Sequence, residues 1–363
     1  MARVDNLAHA VVGAALGRAV AGRKVPAAGW IGAVAANAPD WTELFLGFRP
    51  FRGALAYYTF HRGITHSLLG AAVETVAITA VLWALFTVLH RRRAIQPVSL
   101  APLVILVAVA VCSHVYMDWQ GSYGLRPWLP WSARWYYADW VAIADPMFWL
   151  IPLVGLAWGA ERHWRDLVPF VLLAGLILYA DLMADTASGW LRWSCVALVV
   201  LGAVGWVRHW FGVAARGQAA VLSLALLAGY AGAQAVASEA AKGAARDAAA
   251  ARFGAGASWA ALTRVGTPFE WDPIYASRDT VAGPDWALPR HLDDPRVQRA
   301  LRETVGGRAL SGFARFLAAE VDSGPHGVRV TLRDTRYART GTSGWAVVTV
   351  PLPAAPRPGM AAR

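Results

Sequence analysis

Cysteine, charge and familiar catalytic signatures are all scarce in this sequence, and each shortage removes a class of protein. Only Cys112 and Cys195 occur, each inside an apolar run, so neither a disulfide framework nor a cysteine-ligated zinc site has enough partners. Charged residues make up 16% of the 363 positions and hydrophobic ones 57%, against about 25% charged in an ordinary soluble domain. Such a chain needs lipid to solvate it. No GxSxG, HExxH or P-loop pattern is present, and there is neither an internal repeat nor a heptad seam. Asp5, Asn6 and His9 interrupt the first apolar stretch, so a cleavable signal peptide is not expected. The net charge of +11 arises largely in short loops, without a Lys/Arg-rich helix or an aromatic-basic strand. That pattern argues against nucleic acid and for orientation in a bilayer.

What is abundant is apolar sequence in lengths that suit a membrane. A helix crossing a bilayer needs roughly 17 to 25 mainly apolar residues, and clear stretches occupy residues 66–89, 100–117, 167–183, 190–207 and 219–237. A shorter one covers 147–160, and a weaker pair covers 4–20 and 27–40, joined at Gly22, Arg23 and Lys24. The expected architecture is an all-α polytopic membrane bundle of about eight spans. The Arg91, Arg92, Arg93 run fixes the cytoplasmic side. With it go Arg18, Arg23, Lys24, Arg162, Arg165, Arg208 and Arg216, while Arg3 falls outside. On this topology the 41–65 loop, the Trp-rich 119–146 segment and everything after 238 are extracytoplasmic. The Trp-rich segment should lie along the headgroups as a rim or lid.

Residues 238–363 hold 17 of the 34 Lys and Arg and 12 of the 23 Asp and Glu, so the chain divides. Residues 1–237 form the transmembrane domain, 238–260 a helical linker that breaks at glycines, and 261–363 a small extracytoplasmic α+β domain. In that last part the pattern predicts a helix around 295–320 and strands at 327–332 and 345–350.

Ionisable residues in or beside membrane spans are costly and mark function by default. Here they recur at one level. His9 lies in the first helix, Asn37 and Asp40 end the second, His61 and His66 lead into the third, and His114 and Asp118 end the fourth. His114 and Asp118 are spaced i, i+4, on one helix face within reach of a single ion. A helix-terminal histidine with a capping carboxylate would give the same spacing. His61 and His66, five apart, would point about 140° from each other on one continuous helix. Gly63 is therefore expected to break the chain, with Thr65 or Ser67 capping the next helix and His66 turned inward. Asp40 follows Pro39 and equally suits a turn, while His9 and Asp5 equally suit an interhelical hydrogen bond. Asp139 and Asp145 are later candidates, Asp145 equally as a helix cap before Pro146. Together these histidines and aspartates form an O/N donor set suited to zinc or manganese. A metal-activated water would need no serine or cysteine nucleophile.

Four motifs in order, Asp5-Asn6-Leu7-Ala8-His9, Asn37-Ala38-Pro39-Asp40, His61-Arg62-Gly63-Ile64-Thr65-His66-Ser67 and Ser113-His114-x-x-x-Asp118-Trp119, resemble those of the YdjM-type bacterial inner-membrane family, described as metal-dependent hydrolases. The resemblance covers about residues 1–150, with a weaker match at Asp334-x-Arg336-Tyr337. A more distant likeness is to zinc-dependent phospholipase C-type helical domains. On that pattern Asp40, His66, His114 and Asp118 would be metal ligands, His9 would match an early helical histidine, and His61 would either support a ligand from behind or be an acid/base group. The lack of a later His-x3-Glu pair implies one or two ions rather than three.

The function expected from the sequence is a membrane-embedded hydrolase of a lipid or lipid-linked phosphoester, in the bacterial inner membrane. His9, Asp40, His66, His114 and Asp118 would hold a divalent metal, zinc before manganese, with His61 and Asp139 in catalysis. Arg62 or Arg126 would hold a phosphate. The alternative is a non-enzymatic envelope protein with a structural metal and an interaction role. A transporter fits less well, since the polar groups gather at one face instead of along a path.

Overall fold

The computed structural model describes residues 5–42, 54–93, 95–161, 164–324 and 327–352. It separates into two compact units. The first contains residues 1–42, 62–239 and 263–271, and the second residues 43–61, 240–262 and 272–363. Arg3 and Arg162, both used in the topology above, lie outside the described residues.

The first unit is helical. Its elements are α1 (Asp5–Ala21), α2 (Ala28–Ala35), α4 (Leu68–Arg91), α5 (Leu100–Gln120), α6 (Pro146–Trp158), α7 (Trp164–Met183), α8 (Gly189–Val207) and the first part of α9 (Arg216–Phe253). A short helix α3 (Ala54–Phe60), between α2 and α4 in the chain, belongs to the second unit. Four helices among the described residues are long and apolar enough to cross a bilayer: α4, α5, α8 and α9 with its preceding turn.

The expected eight spans are therefore corrected to four candidates; α7 contributes a shorter apolar helix, Leu167–Met183, and for α2 and α6 the reasons are length and burial. With 8 residues, α2 is about 12 Å long, and α6 with 13 residues about 20 Å, against a hydrocarbon core of about 30 Å. Every residue of α6 except Ile151 is buried. A helix apolar all round is one surrounded by partners, and here the partners are protein. By contrast α4 buries little beyond Gly70, Ala71, Thr79 and Phe86 and exposes Val73, Val76, Val81, Trp83, Leu85 and Val88. So large an exposed apolar face suits lipid.

The close approach that organises the unit is between α1 and α2. A Cβ added at Gly13 would stand 2.4 Å from the Gly32 carbonyl oxygen, one at Gly17 2.1 Å from that of Ala28, and one at Gly32 2.1 Å from that of Gly13. Gly13 and Gly17 are the small-xxx-small stripe of α1, which lets two backbones touch where lipid gives no hydrophobic drive to associate. A second stripe runs along α5, where Leu103, Leu106, Val107, Ala110, Val111, His114, Val115 and Asp118 are buried in 3–4 spacing. His114 and Asp118 thus sit on the helix face that already points into the protein.

At 38 residues, α9 is about 57 Å long, nearly twice the hydrocarbon core. Its Ala-rich second half continues the apolar first half without a break, and Gly254, at φ 86°, ends it.

The second unit carries two antiparallel sheets. One has the order β1-β2-β3-β4, from Ser258–Thr263, Trp271–Ala276, Thr280–Ala282 and Ala287–Pro289, with Thr263 and Trp271 at its boundary with the first unit. The other is the meander β5-β6-β7, from Leu317–Gly324, Gly327–Asp334 and Val347–Leu352, in which Val330 faces Val350 and Leu332 faces Val348. The helix expected around 295–320 is instead two, α10 (Pro295–Glu303) and α11 (Val305–Phe313). Thr304 ends the first and caps the second, its hydroxyl accepting from the Gly307 N–H at 2.9 Å. Beyond Phe313, the chain pairs with β6 as strand β5. Helices α3 and α11 meet through Tyr58, whose ring stacks on Phe313 at 5.4 Å and whose hydroxyl accepts from the Ala346 N–H at 2.8 Å. Under them Asp334 is buried and takes Arg336 Nη2 at 2.7 Å.

Gly17→Val should lower the thermal unfolding midpoint of the detergent-solubilised protein, by an overpacking cost of about 1–3 kcal/mol. Gly175→Val on α7, where an added Cβ meets nothing within 4 Å, should leave the midpoint nearly unchanged.

Candidate metal centre

Five of the residues singled out from the sequence converge within the first unit, each delivered by a different local device. His9 continues the glycine stripe of α1 by one helical turn (9, 13, 17), on the side that faces α2. Past α2, Asn37 Nδ2 donates back to the Ala33 carbonyl at 2.9 Å, and Pro39 leads a single 3-10 turn, Ala38–Asp40, that leaves Asp40 buried. His66 closes a second 3-10 turn, Ile64–His66, after Gly63. Ser67 then caps α4, accepting from the Gly70 N–H at 3.0 Å. His114 and Asp118 come from the buried stripe of α5.

The donor atoms are close together. His66 Nε2 lies 3.1 Å from Asp40 Oδ1, 3.2 Å from Asp118 Oδ2 and 3.1 Å from His114 Nε2, and His114 Nε2 lies 3.6 Å from each of the same two oxygens. In a tetrahedral shell with bonds of about 2.0–2.1 Å, neighbouring ligand atoms stand about 3.3–3.4 Å apart. Distances of 3.1 to 3.6 Å bracket that value, so these pairs of donor atoms are spaced as neighbouring ligands of a shared divalent ion. His9 extends the group: its ring stacks on His114 at 3.8 Å, and its Nε2 is 3.4 Å from Asp118 Oδ1. Two overlapping triads result, His66-His114-Asp118 and His9-Asp40-His114, all buried and sharing His114.

The surroundings hold the ligands in the state a metal requires. His114 Nδ1 sits 2.7 Å from the Ala36 carbonyl oxygen. A carbonyl accepts only from an N–H, so Nε2 presents its lone pair to the cluster. Thr65 Oγ1 lies 3.1 Å from His66 Nδ1. Arg62, left-handed at φ 48°, donates from Nη2 to Asp118 Oδ1 at 2.8 Å and from Nη1 to the Asp118 carbonyl at 3.0 Å, and its guanidinium lies over the Tyr123 ring. These bonds make Arg62 a clamp on Asp118, a role not expected from the sequence. Sequence reasoning missed this clamp, because the sequence around Arg62 suits a carboxylate partner and a phosphate equally well.

Charge balance follows from these contacts. For the ion-free protein, burial depresses the His66 pKa, but its bonds to Asp118 and Asp40 outweigh that and raise it to about 9. Burial likewise raises the Asp40 carboxyl, and the His66 bond with the nearby imidazoles overturns this and holds it at about 2. One proton on His66 offsets Asp40, while Arg62 offsets Asp118. A divalent ion bound there would take the place of that proton.

His61 and Asp139 are not brought into either triad. His61 belongs to the second unit, where its ring packs on Tyr57 at 4.4 Å. Asp139 is buried at φ 54°, and its carbonyl accepts from Trp271 Nε1 at 2.8 Å. Asp145 caps α6, accepting from the Met147 N–H at 2.9 Å, and its other oxygen takes the Tyr230 hydroxyl at 2.7 Å. Arg126 lies over the Trp135 ring.

The model of the YdjM inner membrane protein family matches residues 4–211, more than half of the chain, and all five clustered residues fall inside the match. The chain belongs to that family. No curated protein and no solved structure matches it.

Elemental analysis of the detergent-purified chain should find one or two equivalents of zinc or manganese, lost in both His114→Ala and Asp118→Ala. The pH dependence has a defined sign. Protonated His66 supports the ion-free fold fully below its ordinary pKa of 6.5, and that support fades as pH rises through about 9. Ion binding needs the neutral imidazole and releases the proton, so affinity should rise about tenfold per pH unit up to that point. Titrations in buffers of different ionisation enthalpy measure the released proton directly.

Proposed function

We propose that this member of the YdjM inner membrane protein family is a membrane-embedded, metal-dependent hydrolase of a lipid or lipid-linked phosphoester, working at the extracytoplasmic face. The reading is carried by the two buried triads that share His114, His66-His114-Asp118 and His9-Asp40-His114, whose donor atoms lie within 4.8 Å of one another. A divalent ion held there, zinc or manganese, supplies polarisation of a phosphoryl or acyl oxygen and a water of lowered pKa. The chain's own groups set the geometry. Ala36 fixes the tautomer of His114, Arg62 anchors Asp118, and the His9 ring backs that of His114. His61 and Asp139 are the proposed proton-transfer groups.

Location supports the substrate class. His66 precedes α4 by two residues and Asp118 lies near the end of α5, whereas Arg91, Arg92 and Arg93 are exposed at the opposite end of that hairpin. With the arginines in the cytoplasm, the metal ligands and the exposed Trp128 and Trp131 of the following loop stand at the outer headgroups. Four candidate spans and the second unit beyond α9 fit a multi-pass chain whose C-terminal part is extracytoplasmic.

A second reading, a structural ion in a non-enzymatic envelope protein, is favoured by one observation: the ligands are 0 to 8% exposed, and Arg62 already neutralises Asp118.

The full chain reconstituted in vesicles should release phosphate-bearing or acyl products from outer-leaflet phospholipid or a lipid-linked diphosphate. Chelation or His114→Ala should abolish the release. His61→Gln and Asp139→Asn should keep the ion and slow turnover by about 10²–10⁴. A stably bound ion with no turnover on any of these lipids, and a fold lost on chelation, decides for the structural role.

A further inference from the structure

We propose that the first unit carries a second ligand site, distinct from the metal centre, that binds an anionic phospholipid by its phosphate. A cavity of about 880 Å³ opens beside α1, and four cations, Arg18, Arg23, Lys24 and Arg216, line its rim. One carboxylate, Glu161, lines it among the described residues, and it is exposed. None of the five metal ligands does. Arg18 is nine residues beyond His9 on the same helix, about 13 Å along its axis.

The cations are built into the wall and are only partly used there. Arg18 donates Nη1 to the Leu156 carbonyl at 2.7 Å, Arg216 donates Nη2 to that of Gly22 at 2.7 Å, and Arg23 donates Nη2 to that of Ala214 at 3.0 Å. Each bond takes one edge of a guanidinium that carries five N–H donors. The partners are carbonyl oxygens, so no charge is neutralised, and no carboxylate pairs with any of the four among the described residues. Gly159 makes the space: a Cβ there would fall 2.7 Å from Arg216 Cβ. Planar guanidinium edges held fixed at one point and open at the other suit the oxygens of a phosphate.

Below the rim the lining turns apolar, with Leu7, Val11, Leu153, Leu156 and Phe170. A cationic mouth over an apolar shaft matches an amphiphile with a phosphate head and an acyl chain, and a soluble phosphate would leave the shaft empty. The rim also includes Gln96 to Val98 of the α4–α5 loop, just after Arg91–Arg93, so the phosphate belongs to the leaflet opposite the metal centre.

The test uses the full chain in detergent, titrated with phosphatidylglycerol, phosphatidylcholine and inorganic phosphate, with lipid adducts counted by native mass spectrometry and the unfolding midpoint recorded. Phosphatidylglycerol should bind at least about tenfold more tightly than phosphatidylcholine and raise the midpoint. Because Arg18 and Arg216 brace carbonyls in part-buried positions, the deciding variant is the exposed pair Arg23→Gln with Lys24→Gln, in which one exposed bond, Arg23 to the Ala214 carbonyl, is lost as well. It should stay monodisperse, keep its unfolding transition, and lose about 30-fold in phosphatidylglycerol affinity. Equal binding of the two lipids, or unchanged affinity in the double variant, overturns the site. Inorganic phosphate that binds and stabilises as well as phosphatidylglycerol overturns the lipid assignment.

Discussion

Two carboxylates buried among helices are the costliest feature of this protein, and much of the first unit is arranged around them. Moving a charged group out of water costs several kcal/mol even after relaxation, and Asp40 and Asp118 are 8% and 4% exposed. They persist because opposite charge is placed within hydrogen-bond reach of each. Arg62 meets Asp118 along two bonds, one to the side chain and one to the backbone, so the carboxylate is fixed in position as well as in charge. Among the described residues, Asp40 is met by imidazoles alone. The arrangement is thus complete only with a proton or a metal ion among His66, His114 and Asp40, and that coupling ties the fold of this region to its chemistry.

The geometry that permits this begins with glycine. Because Gly13, Gly17 and Gly32 let α1 and α2 touch backbone to backbone, the chain leaving α2 passes close to His9. Residue pairs step down the contact in order: Gly17 meets Ala28, Gly13 meets Gly32 and Ala36, and the next turn brings His9 into one group with Asp40. Ala36, at the end of that contact, presents the carbonyl that fixes His114. A bulky side chain in the stripe would therefore misplace one ligand and release the tautomer of another.

Much of the site was legible because its residues are the exceptions in an apolar chain. His114 and Asp118 declared their shared face by i, i+4 spacing, and Pro39 and Gly63 marked the breaks that free Asp40 and His66 from helices. The role of Arg62 was not legible, since nothing in sequence separates an arginine that clamps a carboxylate from one that awaits a phosphate. The span count failed for a physical reason. Hydropathy records how apolar a segment is and not what surrounds it, so α6, enclosed by protein, reads like a helix enclosed by lipid. In the C-terminal part the strands over 327–334 and 347–352 showed their alternation. The strand at Leu317–Gly324 hid behind helix-forming Ala and Glu, and its pairing with Gly327–Asp334 overrides that propensity.

The helix α1 carries two kinds of anion chemistry at its two ends. Near its start His9 joins a cluster whose charges are matched one for one by carboxylate, imidazole and guanidinium. Near its end Arg18 stands among cations that are matched only by carbonyl dipoles. The first arrangement is closed and is completed by a proton or by a small cation in its place; the second is open and has positive charge in excess. A bilayer supplies phosphate at both headgroup levels, but only the open end offers free donors above an apolar shaft. That asymmetry, and not the overall charge of +11, separates a metal centre from a lipid-holding mouth on the same 17-residue helix.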